Sequence, residues 1–375
     1  MFKKYFALLT LVAGLGPMSA LAAPLYNVEV LADFGGVDQA AYGVNDYGQV
    51  VGYAEDNNGI FHSVLWENGT FTNLGAASPD ISFARDINNS GQVAGFYYDS
   101  DAFNYQAYSW KNGNLTNISH PDNWSSRTYS LNNNGDVLVA TTDYGGKTVI
   151  WKAGEGYTEI DTSPLTSATR VVAQTINDAG QIVGYYEDEN WNAHPFFRDS
   201  DGTYHEIPIE GDFGAFVQGL NEDGDVVGIV YILDGDSVVE TSFEWNLEDG
   251  LTILDFGAFE ETAAYDINNE GIIVGAALDE RSYGVLWENN EIFALDDLIS
   301  LDDPLFGLIT IGDAHAINEY GQIAASGRVL ATGQDVTFLL TPEGFIGPVR
   351  PVPAPGTLGL LICGAGLLLY RRKRA

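Results

Sequence analysis

The amino-acid sequence predicts an all-β, seven-bladed β-propeller whose N-terminal strand closes the last blade. Three observations predict it: a short signature recurs seven times, strand and turn patterns fill each repeat, and the strand missing from the last repeat stands before the first. We therefore expect one domain over residues 25–342, where a chain of 375 residues suggests two or three.

The signature is aliphatic-Asn-x-x-Gly-x-aliphatic, and no copy lacks its Asn or its Gly. Successive Asn residues are 43 to 50 positions apart, a period typical of propellers and solenoids. Asn can bond to nearby backbone, and Gly takes the left-handed conformation that ends a hairpin turn. The seven Asn residues are Asn45, Asn88, Asn132, Asn177, Asn221, Asn268 and Asn318.

Strand patterns fill the rest of each repeat. Short β-branched runs such as 181–185 follow the turn, and a further strand ends about 20 residues past each Asn. Its last position holds Trp66, Trp110, Trp151, Arg198, Trp245, Trp287 and Leu340 in the seven repeats. Another turn leads to a last strand, so each unit has four short strands and no helical period, which favours a propeller blade over a helical solenoid.

The ends of the repeat region complement each other. The last repeat stops after its third strand, at 338–340, whereas residues 28–35 read like 251–257, a fourth strand in another repeat. An N-terminal strand that completes the last blade closes the ring and removes exposed sheet edges.

The repeat resembles the HAF family of extracellular repeats, whose units carry a His-Ala-Phe-like segment. That segment is 62–64 (His-Ser-Val), 106–108 (Gln-Ala-Tyr) and 194–196 (His-Pro-Phe) here. The resemblance spans roughly residues 25–342 and implies an exported repeat protein, with no established enzymatic reaction.

The N-terminus predicts a secretory signal peptide over residues 1–22. Lys3 and Lys4 precede an apolar run from Tyr5 to about Leu15, and Ala-Leu-Ala at 20–22 is the small-x-small pattern that signal peptidase reads. The alternative is a retained transmembrane helix, which the shortness of the apolar stretch disfavours.

The C-terminus predicts a second targeting segment. A Pro-rich linker covers 343–355, and an apolar helix with a terminal basic cluster covers 356–375. The motif Val352, Pro353, Ala354 and Pro355, followed by this helix and cluster, resembles a PEP-CTERM sorting signal, with Ala354 in place of the usual Glu. The resemblance implies insertion into the inner membrane, cleavage by an exosortase, and transfer to the cell surface or release. The alternative is a simple tail anchor.

Charge excludes several partner classes. The 52 acidic residues outnumber the 16 basic ones, giving a net charge of -36, whereas nucleic acids and anionic lipids need a basic surface. A hydrophobic content of 45% is too high for a disordered acidic chain, and a single Cys leaves no internal disulfide.

The first candidate binding site is a set that we call the ring residues. Each lies three positions before a signature Asn, next to a small residue or valine on its N-terminal side, and strand alternation separates the two sets. Two interpretations stay open: the ring residues line the central channel or a sheet face near it, or they fill the space between blades. They are Tyr42, Arg85, Tyr129, Gln174, Gln218, Tyr265 and His315.

The second candidate is the disc face that carries the loops between second and third strands and the connectors between blades. Its aromatic residues Trp124 and Trp191, among acids and amides, suit a carbohydrate or a basic partner.

No motif for catalysis is found. The chain has five His and no nucleophile elbow, zinc-protease motif or phosphate loop, and His62 and His194 belong to the repeat itself. The acidic turns at 199–203 and 221–225 leave open plain hairpin turns or calcium sites, and neither has EF-hand spacing. We expect no enzyme and no cofactor.

The sequence therefore predicts an exported binding or scaffolding module of the cell envelope or exopolysaccharide matrix. The alternative is an exported carbohydrate-active lyase or hydrolase on a propeller. Paired carboxylates with strongly shifted pKa values in a pocket would favour the enzyme.

Overall fold

The computed structural model describes residues 24–75, 81–120, 125–141, 147–209, 214–234 and 237–348. These residues form seven four-stranded antiparallel sheets, and the predicted all-β, seven-bladed propeller is confirmed. Among them no helix is long and apolar enough to cross a membrane. The predicted signal peptide, the sorting motif at Val352, Pro353, Ala354 and Pro355, and the C-terminal apolar helix lie outside the described residues.

The strands follow one another blade by blade, after β1 (Tyr26–Val30) at the N-terminus. The first three blades are β2 (Gly35–Val44), β3 (Val50–Asp56), β4 (Phe61–Glu67), β5 (Thr70–Asn73); β6 (Ser82–Ile87), β7 (Val93–Asp99), β8 (Asn104–Lys111), β9 (Asn114–Asn117); and β10 (Ser126–Leu131), β11 (Asp136–Thr141), β12 (Thr148–Lys152), β13 (Gly156–Glu159). The next three are β14 (Arg170–Ile176), β15 (Ile182–Glu187), β16 (Ala193–Arg198), β17 (Tyr204–Glu206); β18 (Ala215–Leu220), β19 (Val226–Asp234), β20 (Ser237–Asn246), β21 (Gly250–Ile253); and β22 (Glu261–Ile267), β23 (Ile273–Leu278), β24 (Ser282–Glu288), β25 (Glu291–Ala294). A short 3-10 helix (Leu295–Leu298) leads to the last blade, β26 (Ile309–Ile317), β27 (Ile323–Val329) and β28 (Gln334–Pro342).

Strand β1 completes the last blade, as predicted. It pairs antiparallel with β28, and the strand order of that sheet is β1-β28-β27-β26. Val28 lies opposite Leu340, the same position that Leu251 takes opposite Trp245 in the fifth blade. The backbone N–H of Val28 also donates to Asp303 Oδ2 at 2.7 Å, which fixes the strand from outside the ladder. The N-terminal strand therefore closes the ring in the predicted register.

Hydrophobic cores lie between neighbouring blades. One cluster joins Val50 and Trp66 of the first blade to Ala324 and Leu339 of the last. The indole N–H of Trp66 donates to the carbonyl of Ala32 at 2.6 Å, just beyond β1. Trp287 makes the equivalent bond to the carbonyl of Asp255, beyond the outer strand of the fifth blade, so nearest-neighbour contacts stabilise the fold.

The signature Asn residues form a closed circle of hydrogen bonds around the axis. Each buried side-chain amide donates to the backbone carbonyl of the Asn in the next blade, over 2.8 to 3.3 Å, and Asn318 closes the circle on Asn45. The side-chain oxygen accepts backbone N–H groups of its own turn, as Asn45 Oδ1 does from Gln49. The Asn therefore shapes its turn and also ties two blades, a role that hairpin chemistry alone does not predict.

A second circle runs beside the first, built by the residue after each Asn. Its backbone N–H donates to the side-chain oxygen of the corresponding residue in the next blade, over 2.6 to 3.1 Å. Aspartate, asparagine and glutamate can all accept this bond, so the residue type varies while the bond persists. The members are Asp46, Asn89, Asn133, Asp178, Glu222, Asn269 and Glu319.

Candidate functional site

Each innermost strand carries a β-bulge at its ring residue. In the first blade Ala41 pairs with Gly52 and Gly43 pairs with Val51, so Tyr42 has no partner across the ladder. In five other blades the ring residue likewise has no partner across the ladder. In the third blade Tyr129 and Ser130 both have none. A bulge bends the strand and turns an extra side chain away from the ladder.

A glycine of the second strand makes room for the bulge in five blades. A Cβ atom at these positions would come within 1.9 to 2.3 Å of a backbone carbonyl of the innermost strand. In the third blade Val139 takes this register opposite Thr128, and in the seventh blade Ala325 takes it opposite Ala314. The five glycines are Gly52, Gly95, Gly184, Gly228 and Gly275.

The ring residues surround a central cavity of about 380 Å³. Six of them line it, namely Tyr42, Arg85, Tyr129, Gln218, Tyr265 and His315. Gln174 does not, although its neighbour Thr175 does, and the buried Oε1 of Gln174 has no hydrogen-bond partner among the described residues. Four of the ring residues, Tyr42, Arg85, Tyr265 and His315, line the cavity and also contact a ring residue of an adjacent blade.

Ring contacts pass from blade to blade through part of the circle. The Arg85 guanidinium lies 4.2 Å from the centre of the Tyr42 ring, a cation–π distance. Tyr42 meets His315 edge-on at 5.9 Å, and His315 stacks on Tyr265 at 5.7 Å. Burial lowers the pKa of His315, outweighing the Asp313 carboxylate that raises it, so the imidazole is neutral at pH 7.

Two aspartates that the sequence analysis did not identify also line the cavity, each one position after a ring residue. Asp86 accepts the backbone N–H groups of Ile87 and Leu131 at 2.7 and 2.8 Å, and Asp266 accepts those of Ile267 and Ile317 at 2.9 Å each. Each carboxylate thus ties its blade to the next.

These carboxylates are surrounded by protein on all sides except the channel. Burial raises the pKa of Asp86 to about 6, against the lowering effect of its hydrogen bonds. Burial raises the pKa of Asp266 to about 7, and the Asp86 carboxylate adds to that rise. The bulge is the local cause of their position, and no composition or spacing signal in the sequence indicates which blades carry an acid there.

Several polar ends in the cavity have no protein partner. Within the described part of the chain, no hydrogen bond engages the side chains of Arg85, Gln218 or Tyr265, although Arg85 stacks on Tyr42. A cavity of a few hundred Å³ on which polar groups converge is typical of ligand sites. The arrangement can therefore bind a polar ligand of about one sugar unit.

The second candidate face is described in part. Trp191 lies at the tip of the β15–β16 hairpin, 65% exposed, with a left-handed φ of 66°. The β3–β4 hairpin makes the same turn with Gly59 at that position, at φ 80°. Trp124 lies outside the described residues, so the structure does not relate it to Trp191.

The remaining candidates for chemistry form hairpins. His62 Nε2 lies 3.2 Å from Asp56 Oδ2, and His194 Nε2 lies 3.5 Å from Asp188 Oδ2, across equivalent turns. The turn at 199–203 is closed by Thr203, whose N–H donates to Asp199 and Asp201. Among the described residues, no group of three His, Cys, Asp or Glu side chains is placed to hold a metal ion.

No protein-family model matches the chain, and no curated protein matches it. Among solved structures, the chain is similar to the β-propeller domain of the Trilobed protease from Pyrococcus furiosus, at 14% identity and a TM-score of 0.52, over 84% of this chain and 99% of that one. That propeller is described as having an open velcro topology, whereas β1 closes the last blade here. The chain is also similar to the acylaminoacyl peptidase of Pyrococcus horikoshii, at 12% identity and a TM-score of 0.51, over 83% of this chain and 53% of that one. It thus spans about half the length of that peptidase, and these likenesses show the fold alone.

Proposed function

We propose that this protein is an exported binding module that takes a polar ligand, of the size of a sugar unit, into its central channel. The observation that carries the proposal is the convergence of six ring side chains on one cavity, three of which, Arg85, Gln218 and Tyr265, make no hydrogen bond within the described chain. In the cell envelope or exopolysaccharide matrix such a module would hold a glycan or an envelope protein. No nucleic acid is expected as partner, because the net charge is -36.

A glycan array of the purified protein tests the channel. The double variant Gln218→Ala with Tyr265→Ala removes a donor–acceptor pair and a ring from the cavity wall, so it should lose at least tenfold in affinity for bound glycans. Leu278→Ala, on the exposed end of β23, is the control and should change nothing. Glycan binding that survives the double variant unchanged would refute a channel site. Binding that depends on Trp191 instead would move the site to the connector face.

Delivery to the envelope is the second half of the proposal, and it rests on the two terminal segments. Signal peptidase would remove residues 1–22, and an exosortase would act at Val352, Pro353, Ala354 and Pro355 after insertion into the inner membrane. Cell fractionation with an epitope tag in the exposed turn at 331–333 follows this path. Wild-type protein should reach the surface or medium, whereas Pro353→Ala with Pro355→Ala should remain in the inner membrane. Equal distribution of the two would refute sorting at this motif.

The enzyme alternative has one specific observation in its favour, the two cavity carboxylates with raised pKa values, Asp86 and Asp266. Both oxygens of each already accept backbone N–H groups, which favours a structural role. Incubation with envelope polysaccharides, followed by assays for new reducing ends and unsaturated sugars, separates the two. Product formation that Asp266→Asn abolishes, in a variant that still folds, would establish the enzyme.

A further inference from the structure

Four Lys and Arg side chains of the described residues have no ion pair to a carboxylate, namely Arg85, Lys111, Arg127 and Arg198, and two of them lie on adjacent innermost strands. Among the described residues, five Lys and Arg side chains are ion-paired to carboxylates, namely Lys147, Lys152, Arg170, Arg281 and Arg328. Arg85 and Arg127, on the adjacent innermost strands β6 and β10, have no such pair within the described chain, and each lies over aromatic rings instead. A guanidinium without an ion pair retains its N–H donors for another acceptor.

Both guanidinium groups are positioned by stacking. Arg85 lies 4.2 Å from the Tyr42 ring centre, and Arg127 lies 4.0 Å from that of Tyr105 and 5.2 Å from that of Phe96. The Nε atom of Arg127 is buried without a hydrogen-bond partner among the described residues. Stacking fixes the plane of a guanidinium and so prepares it for bidentate contact with a planar anion.

A continuous row of aromatic rings joins the two arginines. This aromatic band consists of Tyr42, Tyr53, Phe83, Phe96 and Tyr105, and successive ring centres lie 5.2 to 5.7 Å apart. Every member is half-buried, so each ring keeps part of its surface exposed to solvent.

The band leads from the channel onto the connector face. Phe83 and Arg127 each lie two residues before a ring residue, so strand alternation puts them on the channel-facing side and farther from the Asn turns. The channel and the band therefore form one continuous surface over the first three blades.

Sugar rings present flat C–H faces that pack on aromatic side chains, and uronic acids add a carboxylate to each ring. We propose that the channel and the aromatic band bind an acidic oligosaccharide, with one uronate carboxylate at Arg85 and another at Arg127. This inference rests on the proposed function and names its ligand class. Single-stranded nucleic acid also stacks on aromatic rings and carries one anion per unit, so an oligothymidylate is included in the test.

Calorimetric titration of the purified, exported protein tests the inference at 0.15 M salt, where long-range repulsion is screened. The probes are hexamers of galacturonate, glucuronate and mannuronate, each also as its methyl ester, which keeps the sugar and removes the charge. At least one free acid should bind about tenfold or more tightly than its ester. Arg85→Ala and Arg127→Ala should each weaken binding of the acid about tenfold and weaken binding of the ester much less.

Arg328→Ala is the matched control, because it removes the same charge from an exposed, ion-paired arginine. Melting temperatures confirm that all three variants fold, and Arg85→Lys reports the loss of the planar fork at constant charge. Acid and ester binding equally well would overturn the acidic ligand and leave the binding module intact, provided that Gln218→Ala with Tyr265→Ala weakens both. Lack of binding by all three acids, equal effects of Arg85→Ala and Arg328→Ala, or tighter binding of an oligothymidylate would each overturn the inference as well.

Discussion

The same seven inner strands present two circles of side chains, three residues apart, and the two circles follow opposite rules. The signature Asn circle has one residue type in seven blades, and each member hydrogen-bonds to the next. The ring residues comprise tyrosine, glutamine, arginine and histidine, and six of them face a cavity. The position with the same residue in all seven repeats thus makes the contacts that hold the blades together. The position whose residue varies lines the surface that the fold does not require for its own contacts.

The two cavity carboxylates sharpen this comparison, because they vary between blades and yet hold blades together. An unfolded aspartate has a pKa of about 3.9. The pKa of Asp86 is raised to about 6 and that of Asp266 to about 7, so the folded protein keeps protons that the unfolded chain releases. Their contribution to stability is complete below pH 4 and is lost as the pH rises through 6 and 7.

Urea unfolding at a series of pH values measures this loss. We expect the free energy of unfolding to fall by up to about 1.4 kcal/mol per pH unit for each retained proton between pH 5 and 7. Asp266→Asn should flatten the slope. Asp56→Asn is the control, because hydrogen bonds from His62 and the turn lower the Asp56 pKa to about 2, which confines its effect to below pH 4. An unchanged slope in Asp266→Asn would contradict the buried acid.

The two circles can be compared directly by removing an amide from each on one strand. Asn221→Ala leaves the Asn268 carbonyl and the N–H groups of Asp223 and Asp225 without their partner, so it should cost about 3 kcal/mol of unfolding free energy. Gln218→Ala removes a half-buried amide that makes no hydrogen bond to the other described residues, and it should cost under about 1 kcal/mol. Equal losses in chemical denaturation would break the distinction between the circles.

The bulge that creates the ring depends on the glycine opposite it. Gly184→Ala would place a Cβ 2.0 Å from the carbonyl oxygen of Val172, and we expect a loss of about 2 kcal/mol as the backbone shifts. Val139→Ala in the third blade removes two methyl groups at the same register and should cost about 1 kcal/mol. Thermal unfolding of the two variants gives the comparison, and a tolerated Gly184→Ala would show that the bulge is adjustable.

The smallest expected effect separates stability from binding at the connector face. Trp191 takes the left-handed position that Gly59 occupies in an equivalent turn, which is unfavourable for a residue with a Cβ. Trp191→Gly should therefore raise the unfolding free energy by about 0.5 kcal/mol and abolish any glycan binding at this face. Destabilisation by more than 1 kcal/mol in urea would show that the contacts of the indole outweigh the relief of backbone strain.

The propeller and its closure could be predicted from the sequence, because both depend on residues that recur with the period of the repeat. The sequence aligns Val28 with Leu251. In the structure Val28 pairs with Leu340 and Leu251 pairs with Trp245, which are equivalent positions of their blades. The hydrogen bonds by which the Asn circle joins neighbouring blades could not be predicted. An Asn that bonds only within its turn and an Asn that also bonds to the next blade look the same in the sequence.

The candidate site was only partly predictable for a related reason. Periodicity located the ring residues, but the bulges that turn Asp86 and Asp266 into the cavity arise from a one-residue slip between strands. The aromatic band is also hidden in the sequence, because its five rings come from two blades and become neighbours only when strands pair.

Closure by β1 determines the order in which the molecule can assemble. Asn318 bonds to Asn45 across 273 residues, and β1 pairs with the strand that is made last, so these contacts carry the largest loop-closure entropy in the chain. Six blades can form successively as the polypeptide is synthesised, but the seventh cannot be completed before β28, which ends at Pro342. Until then the backbone groups of β1 have no partner strand. Premature termination before β28 would therefore leave an incomplete ring with an edge at each end, a species prone to aggregation.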